Sequence, residues 1–246
     1  MRPDFALPPL APHPHAITIF IAMESEAAPV ARALGMGGPD GRAPRTATLG
    51  GARIRLVTPG RDEVARVDRI GPLHAALALE RALAAEPADL VVNLGTAGGF
   101  ESQGLGIADL VLARETMFHD ARVGLPGFDA VARAHTRLSL DDARLEALAA
   151  ALGARVGTVS TGSSLDATAA ELAQFAATGT LAKEMELAAL AIVCRDHATP
   201  LVALKGITDL VDHHEPVESA FLRNLEHTCA RIAEAAPALI GLLAAR

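Results

Sequence analysis

Asp209 has the setting in this chain that most calls for a chemical explanation. The run Ala203-Leu204-Lys205-Gly206-Ile207-Thr208-Asp209-Leu210-Val211-Asp212 starts with the apolar pattern of a buried strand and ends by delivering a carboxyl group to the edge of a hydrophobic sheet. Apolar neighbours disfavour the charged form of a carboxyl, so such a group holds its proton toward neutral pH and can act as an acid. A turn residue or a helix cap is the plainer alternative. Glu24 and Glu26 follow a second apolar run, Ile17 to Ala22, after Met23. Lys183-Glu184-Met185-Glu186 precedes an apolar helical stretch. A Glu at a helix start commonly just complements the helix dipole. Its chemical use would be as a carboxylate accepting two hydroxyl hydrogen bonds from a sugar diol.

Two polar turns complete the set. Gly95-Thr96-Ala97-Gly98-Gly99 closes a buried run but is neither GxGxxG nor a phosphate loop with its Lys-Ser/Thr. Its glycines either permit a tight strand-to-helix turn or bring backbone N–H groups close to a small ligand. Thr161-Gly162-Ser163-Ser164 reads as a turn. Asp212 is expected to cap the turn after Asp209, and His119-Asp120 reads as a structural loop pair. No histidine spacing suggests a zinc site. No serine sits in a GxSxG elbow, which disfavours a serine hydrolase.

The elements that must hold these groups alternate. Strands are expected over Ile17–Ala22, Asp89–Leu94, Ala108–Ala113, Arg155–Ser160 and Leu201–Ile207. Thr46–Leu49 and Arg53–Val57 form a hairpin about Gly50-Gly51. Helices are expected over Ser25–Leu34, Leu73–Ala85, Leu140–Leu152, Ala188–His197 and Val217–Leu243, with a long connection over 119–137. This alternation predicts an α/β fold with a helix-covered sheet. Ligands in such domains sit outside the carboxyl ends of the strands, which is where the polar segments collect. Residues 1–15 hold Pro3, Pro8, Pro9, Pro12 and Pro14 and read as a disordered leader, with one domain over 16–246.

Composition narrows the partners. The net charge of −7, with no basic block, argues against nucleic acid. The absence of Trp and Tyr argues against a single-strand stacking surface. No apolar run reaches the ~18 residues of a membrane span. Two cysteines without CxxC spacing, Cys194 and Cys229, fit a reducing cytoplasmic location.

In order and spacing the motifs resemble the 5′-methylthioadenosine/S-adenosylhomocysteine nucleosidases of the purine nucleoside phosphorylase superfamily. The matching segments are Ala22-Met23-Glu24-Ser25-Glu26, Asn93-Leu94-Gly95-Thr96-Ala97-Gly98-Gly99, Met185-Glu186 and Thr208-Asp209. Pro59-Gly60-Arg61-Asp62, Phe118-His119-Asp120, Ser160-Thr161-Gly162 and Ile207 to Asp212 resemble the plant-type branch. The resemblance implies a three-layer α/β/α sandwich around a central mixed β-sheet. It implies a small-molecule purine nucleoside as partner, no cofactor, no metal, and a homodimer. It also implies roles: Asp209 protonates purine N7, and Glu26 activates water. Glu186 holds the ribose hydroxyls, with Met185 packed on the sugar. Met23, Thr96, Ala97, Gly98, Leu165 and Phe221 contact the nucleoside. N-glycosidic cleavage builds positive charge on the sugar and negative charge on the base, so a neutral acid and a carboxylate suit it.

Two features set the chain apart. Ser163 stands where the family usually has an Asp expected to orient the acid, and Leu165 stands where bacterial members often carry an aromatic. Related phosphorylases hold phosphate with arginines, one just before the glycine segment. Asn93 is there in this chain, and water is the expected nucleophile. Three readings are carried forward: a hydrolase of 5′-modified adenosines, a related purine nucleoside or futalosine hydrolase or phosphorylase, and a nucleoside-binding protein with impaired chemistry.

Overall fold

The computed structural model describes residues 4–37 and 45–245. The chain begins with β1 (Phe5–Ala6), β2 (Ala16–Phe20), α1 (Glu24–Ala33), β3 (Thr46–Leu49), β4 (Ala52–Val57) and α2 (Pro72–Ala85). Next come β5 (Leu90–Gly99), β6 (Leu110–Phe118), α3 (Phe128–Arg133), β7 (Thr136–Arg137), α4 (Asp142–Leu152) and β8 (Ala154–Thr161). It ends with α5 (Ala169–Thr178), β9 (Thr180–Glu184), α6 (Leu187–Asp196), β10 (Leu201–Leu210) and α7 (Val217–Ala244).

The strands form one mixed sheet with the order β1-β7-β6-β8-β9-β5-β2-β4-β3. β10 pairs parallel to β5 and antiparallel to β6, so β5, β9, β8, β6 and β10 close a ring within the sheet. Alternation along β10 sends Val202 and Leu204 into a core shared with α1, α4 and α7. It sends Leu201, Ala203 and Ile207 into a second core beneath α2 and α6. Helices therefore cover both faces, giving a three-layer α/β arrangement with β10 through its middle. Each fully buried Leu or Ile contributes about 1.5–3 kcal/mol, and this burial anchors the end of β10 from both sides.

Several elements depart from what the sequence suggests. The glycine segment Gly95–Gly99 is not a turn but the last half of β5, paired with β10 on one edge and β9 on the other. Glycine here lets three strands approach closely. α5 and β9, unexpected from the sequence, fill the stretch between Thr161 and Met185. β9 was hidden because its five residues end in Lys183-Glu184 rather than in an apolar run. The connection over 119–137 contains α3 and β7.

The expectation of a disordered leader is also corrected, over residues 4–15; residues 1–3 lie outside the described residues. β1 pairs parallel with β7, Leu7 and Leu10 are buried, and the Arg195 guanidinium lies 4.4 Å from the Phe5 ring centroid. Proline lacks only the N–H donor, so an extended Pro-rich strap can still dock through its apolar residues. Asp212 caps a distant segment instead of the turn that follows it: it accepts hydrogen bonds from the N–H groups of Glu101 and Ser102 at 2.8 and 3.0 Å.

Candidate active site

Three strand ends and two helix starts surround one cavity of about 180 Å³. Asp209 reaches it through an irregularity in β10. Ile207 pairs with Ala97 and Asp209 with Gly98, leaving Thr208 as an extra residue against β5. Such a bulge re-aims the side chains that follow it. Here Ile207 stays in the core while Thr208 and Asp209 both line the cavity. Gly98 makes room: a Cβ at that position would lie 2.7 Å from Asp209 Oδ2 and 2.6 Å from Val211 Cγ2. The Thr208 hydroxyl donates to Asp209 Oδ1 at 2.8 Å. Burial pushes the Asp209 carboxyl above its usual range, opposed by the Thr208 hydrogen bond and the Lys183 charge.

Glu26 sits in the first turn of α1, 4 % exposed. Its Oε1 accepts from both the N–H and the hydroxyl of Thr96 at 2.7 Å, and its Oε2 accepts from the Met23 N–H at 3.2 Å. Burial raises its proton affinity, opposed by the Thr96 hydrogen bonds and by Lys205. Glu186 precedes α6 and accepts from the Gly71 N–H at 2.8 Å. Gly71 has φ +93°, a conformation that favours glycine. Burial and the neighbouring Glu184 push Glu186 up to about 7, against the pull of Lys205.

Glu184 and Lys205 join this group as an ion pair at 2.9 Å, both side chains nearly inaccessible. Glu184 also accepts from the Thr161 hydroxyl at 2.6 Å and from the N–H groups of Glu186 and Leu187. Burial alone would lower Lys205, but Glu184, Glu186 and Glu26 outweigh it and its affinity for the proton rises. A second ammonium, Lys183, donates to the carbonyls of Ser164, Leu165 and Asp166 at 2.7–2.8 Å. Both cations lining the cavity are therefore committed, and among the described lining residues there is no arginine. Among the described residues no group of three or more His, Cys, Asp or Glu is arranged to hold a metal ion.

The cavity brings together every residue for which the family resemblance implies a catalytic or nucleoside-contacting role. Met23, Glu26, Thr96, Ala97 and Gly98 line it from α1 and β5. Leu165, Met185, Glu186, Asp209 and Phe221 line it from the later half of the chain. Asn93, Lys183, Glu184 and Lys205 line it as well, though no role was assigned to them. A charged residue inside an otherwise apolar strand was the available signal for Lys205. Ser163 is exposed, and its N–H donates to Asp120 Oδ2 at 2.8 Å. His119 serves packing, its ring edge-on to Phe175 at 4.9 Å with Nδ1 3.0 Å from the Ser160 hydroxyl.

Relatives share this architecture along almost the whole chain. The Phosphorylase superfamily model matches residues 16–241. A 5′-methylthioadenosine nucleosidase of Arabidopsis thaliana is 32 % identical over 239 residues, covering 94 % of this chain and 88 % of that protein. The chain belongs to the 5′-methylthioadenosine/S-adenosylhomocysteine nucleosidase family, within the phosphorylase superfamily. A second Arabidopsis relative, a 5′-methylthioadenosine/S-adenosylhomocysteine nucleosidase, is 32 % identical over 195 residues, 78 % of this chain and 74 % of its own. The apo structure of Arabidopsis 5′-methylthioadenosine nucleosidase superposes with a TM-score of 0.87 at 30 % identity, covering 96 % of this chain and 98 % of that one. Nucleosidases of this family are N-glycosyl hydrolases. The cavity has groups that such chemistry can use: three carboxyl groups whose burial favours the proton, Asp209, Glu26 and Glu186, the last two also held by backbone N–H groups.

Proposed function

We propose that the chain hydrolyses the N-glycosidic bond of a 5′-modified adenosine, methylthioadenosine first and also S-adenosylhomocysteine or 5′-deoxyadenosine, and releases adenine. The observation that carries this reading is the pairing in one cavity of Asp209, whose burial favours its proton, with Glu26, whose carboxylate is fixed by Thr96 and Met23. Asp209 gives its proton to purine N7. The C1′–N9 bond then breaks, and its electron pair leaves with the base. Glu26 holds a water against C1′ and takes its proton as the C1′–O bond forms. Glu186 accepts from the ribose hydroxyls, and Met185 packs on the sugar. Thr96, Ala97 and Gly98 lie beside the ribose, Leu165 beside the base, and Met23 and Phe221 toward the 5′ substituent.

Water is favoured over phosphate as nucleophile because neither cavity cation is free. Lys205 is matched by Glu184, and Lys183 by three carbonyls. A dianion entering there would meet carboxylates without a cationic partner. Impaired chemistry is disfavoured because Asp209 has the Thr208 hydroxyl to orient it, whatever stands at Ser163. Adenine release from methylthioadenosine, followed with and without phosphate, tests the reading. Equal rates are expected, and a phosphate requirement would replace the hydrolase by a phosphorylase.

The reaction serves methionine salvage in the cytoplasm, and the active form is a homodimer. Val64, Val67, Ile70, Leu73 and Leu77, within one stretch of chain, are 43–93 % exposed and support a partner surface beside the cavity. Light scattering on the purified protein should give twice the 25.4 kDa chain mass.

A further inference from the structure

Lys183 and Asp209 flank the same bare backbone position. In register, Gly98 of β5 is opposite Lys183 on β9 and opposite Asp209 on β10. With no side chain on Gly98, the Asp209 carboxyl lies over its Cα. Lys183 is 3 % exposed, and its ammonium has three protons to donate. All three go to successive carbonyls, Ser164 and Leu165 at 2.8 Å and Asp166 at 2.7 Å. A buried ammonium is costly unless its surroundings hold it, and fastening a loop is one return. The loop is the one that carries Leu165 into the cavity.

We propose that Lys183 is a positioning residue for the reaction, fastening segment 164–166 against the cavity and setting a fixed positive charge beside Asp209. The proposal rests on the reading of Asp209 as the acid. Its logic is differential: an acid must be protonated before the reaction and ionised after the proton leaves. Burial stabilises the first state of Asp209, and a nearby ammonium stabilises the second. Lys183 cannot itself be the donor to the base without releasing the loop. The charges facing Lys183 are Asp209 on β10, Asp166 in the fastened segment, Glu171 on α5 and Glu184 on β9, with His119 at the end of β6. Lys183 is the charged group that acts on Asp209. A neutral residue at 183 therefore leaves Asp209 holding its proton to higher pH, and a cationic one does not.

The test uses the full chain as wild type, Lys183→Met, Lys183→Arg and Asp209→Asn. The Asp209 carboxyl is titrated by NMR with ¹³C-labelled aspartate, its resonance assigned by its loss in Asp209→Asn. KM and kcat for methylthioadenosine are measured alongside. In Lys183→Met the midpoint should rise, with kcat reduced and KM raised. In Lys183→Arg the midpoint should stay, because the charge is kept, while KM rises, because a planar guanidinium cannot reproduce the three carbonyl bonds. An unmoved midpoint in Lys183→Met overturns the proposal, as does an unchanged KM in both variants. If Lys183→Met does not fold, Lys183→Arg decides: a shifted midpoint or a wild-type KM sinks the idea. Near-wild-type turnover by Asp209→Asn would instead remove the acid assignment itself, so the two failures are separable.

Discussion

Asp209, at the end of β10, and Glu26, in the first turn of α1, are both buried carboxyl groups, yet their surroundings differ in kind. Asp209 has one hydrogen bond from a side chain, that of Thr208, and lies over a glycine with a cation nearby. Glu26 takes three, two of them from backbone N–H groups, and faces the charge of Lys205. Donors stabilise the ionised form, and burial without donors stabilises the neutral one. Burial raises the proton affinity of both, and the difference lies in what opposes it: the Thr96 hydrogen bonds, Lys205 and the Met23 N–H at Glu26, and the Thr208 hydroxyl and Lys183 at Asp209. The acid and base roles proposed for the pair rest on that difference in donors.

The largest effect should come from erasing the comparison. Asp209→Asn and Glu26→Gln keep shape and remove proton exchange. Each is expected to lower adenine release by ~10²–10⁴-fold with little change in thermal unfolding. Turnover near wild type in either variant would deprive that residue of its role.

Next in size is removal of the cation on the Glu26 side. Lys205→Met leaves Glu184 buried without its ion-pair partner. Breaking a buried pair from one side costs about 3–5 kcal/mol, so urea unfolding should show a loss of that order. A smaller loss than from a surface substitution would mean that Thr161 and the N–H groups of Glu186 and Leu187 carry Glu184 unaided. On the Asp209 side the matching probe is Gly98→Ala, whose Cβ would press on the carboxyl at 2.7 Å. Overpacking of this sort costs about 1–3 kcal/mol, and here kcat should fall with the stability. Unchanged kcat would show that the carboxyl can move aside and still work.

The same contrast explains what the sequence could disclose. Asp209 was legible because an apolar run ends on it, and Glu26 because carboxylates rarely crowd the end of a buried strand. The α/β class followed from alternating periodicity. The bulge at Thr208 was not legible, since it depends on the register of β5 beside β10. Lys205 stood in plain view within Leu201–Ile207, but a lone Lys in a strand carries no sign of which carboxylate it meets. Lys183 and Glu184 belong to β9, a strand too short and too charged to show a period-2 pattern. The glycines of 95–99 read as a turn because glycine permits turns and equally permits three strands to crowd together; only pairing on both sides decides. The leader misled for the opposite reason, since proline content measures local preference and says nothing of where Leu7 and Leu10 dock.

The smallest effect concerns Glu186, a further buried carboxyl group of the same cavity. Its folded value is about 7 against 4.5 for an unperturbed Glu, raised by burial and by Glu184. Between those values the folded state binds the proton more tightly than the unfolded chain does. Folding therefore takes up a proton there, and the Glu186 contribution to stability falls as pH rises from about 4.5 to about 7. It is fully present below 4.5 and lost as pH passes the folded value. Glu186→Gln has no such proton, so its unfolding free energy, measured by urea titration at intervals across that window, should decline less steeply than that of the wild type. The change is a slope spread over the window, no steeper than about 1.4 kcal/mol per pH unit. Parallel curves for the two proteins would mean that Glu186 is ionised throughout.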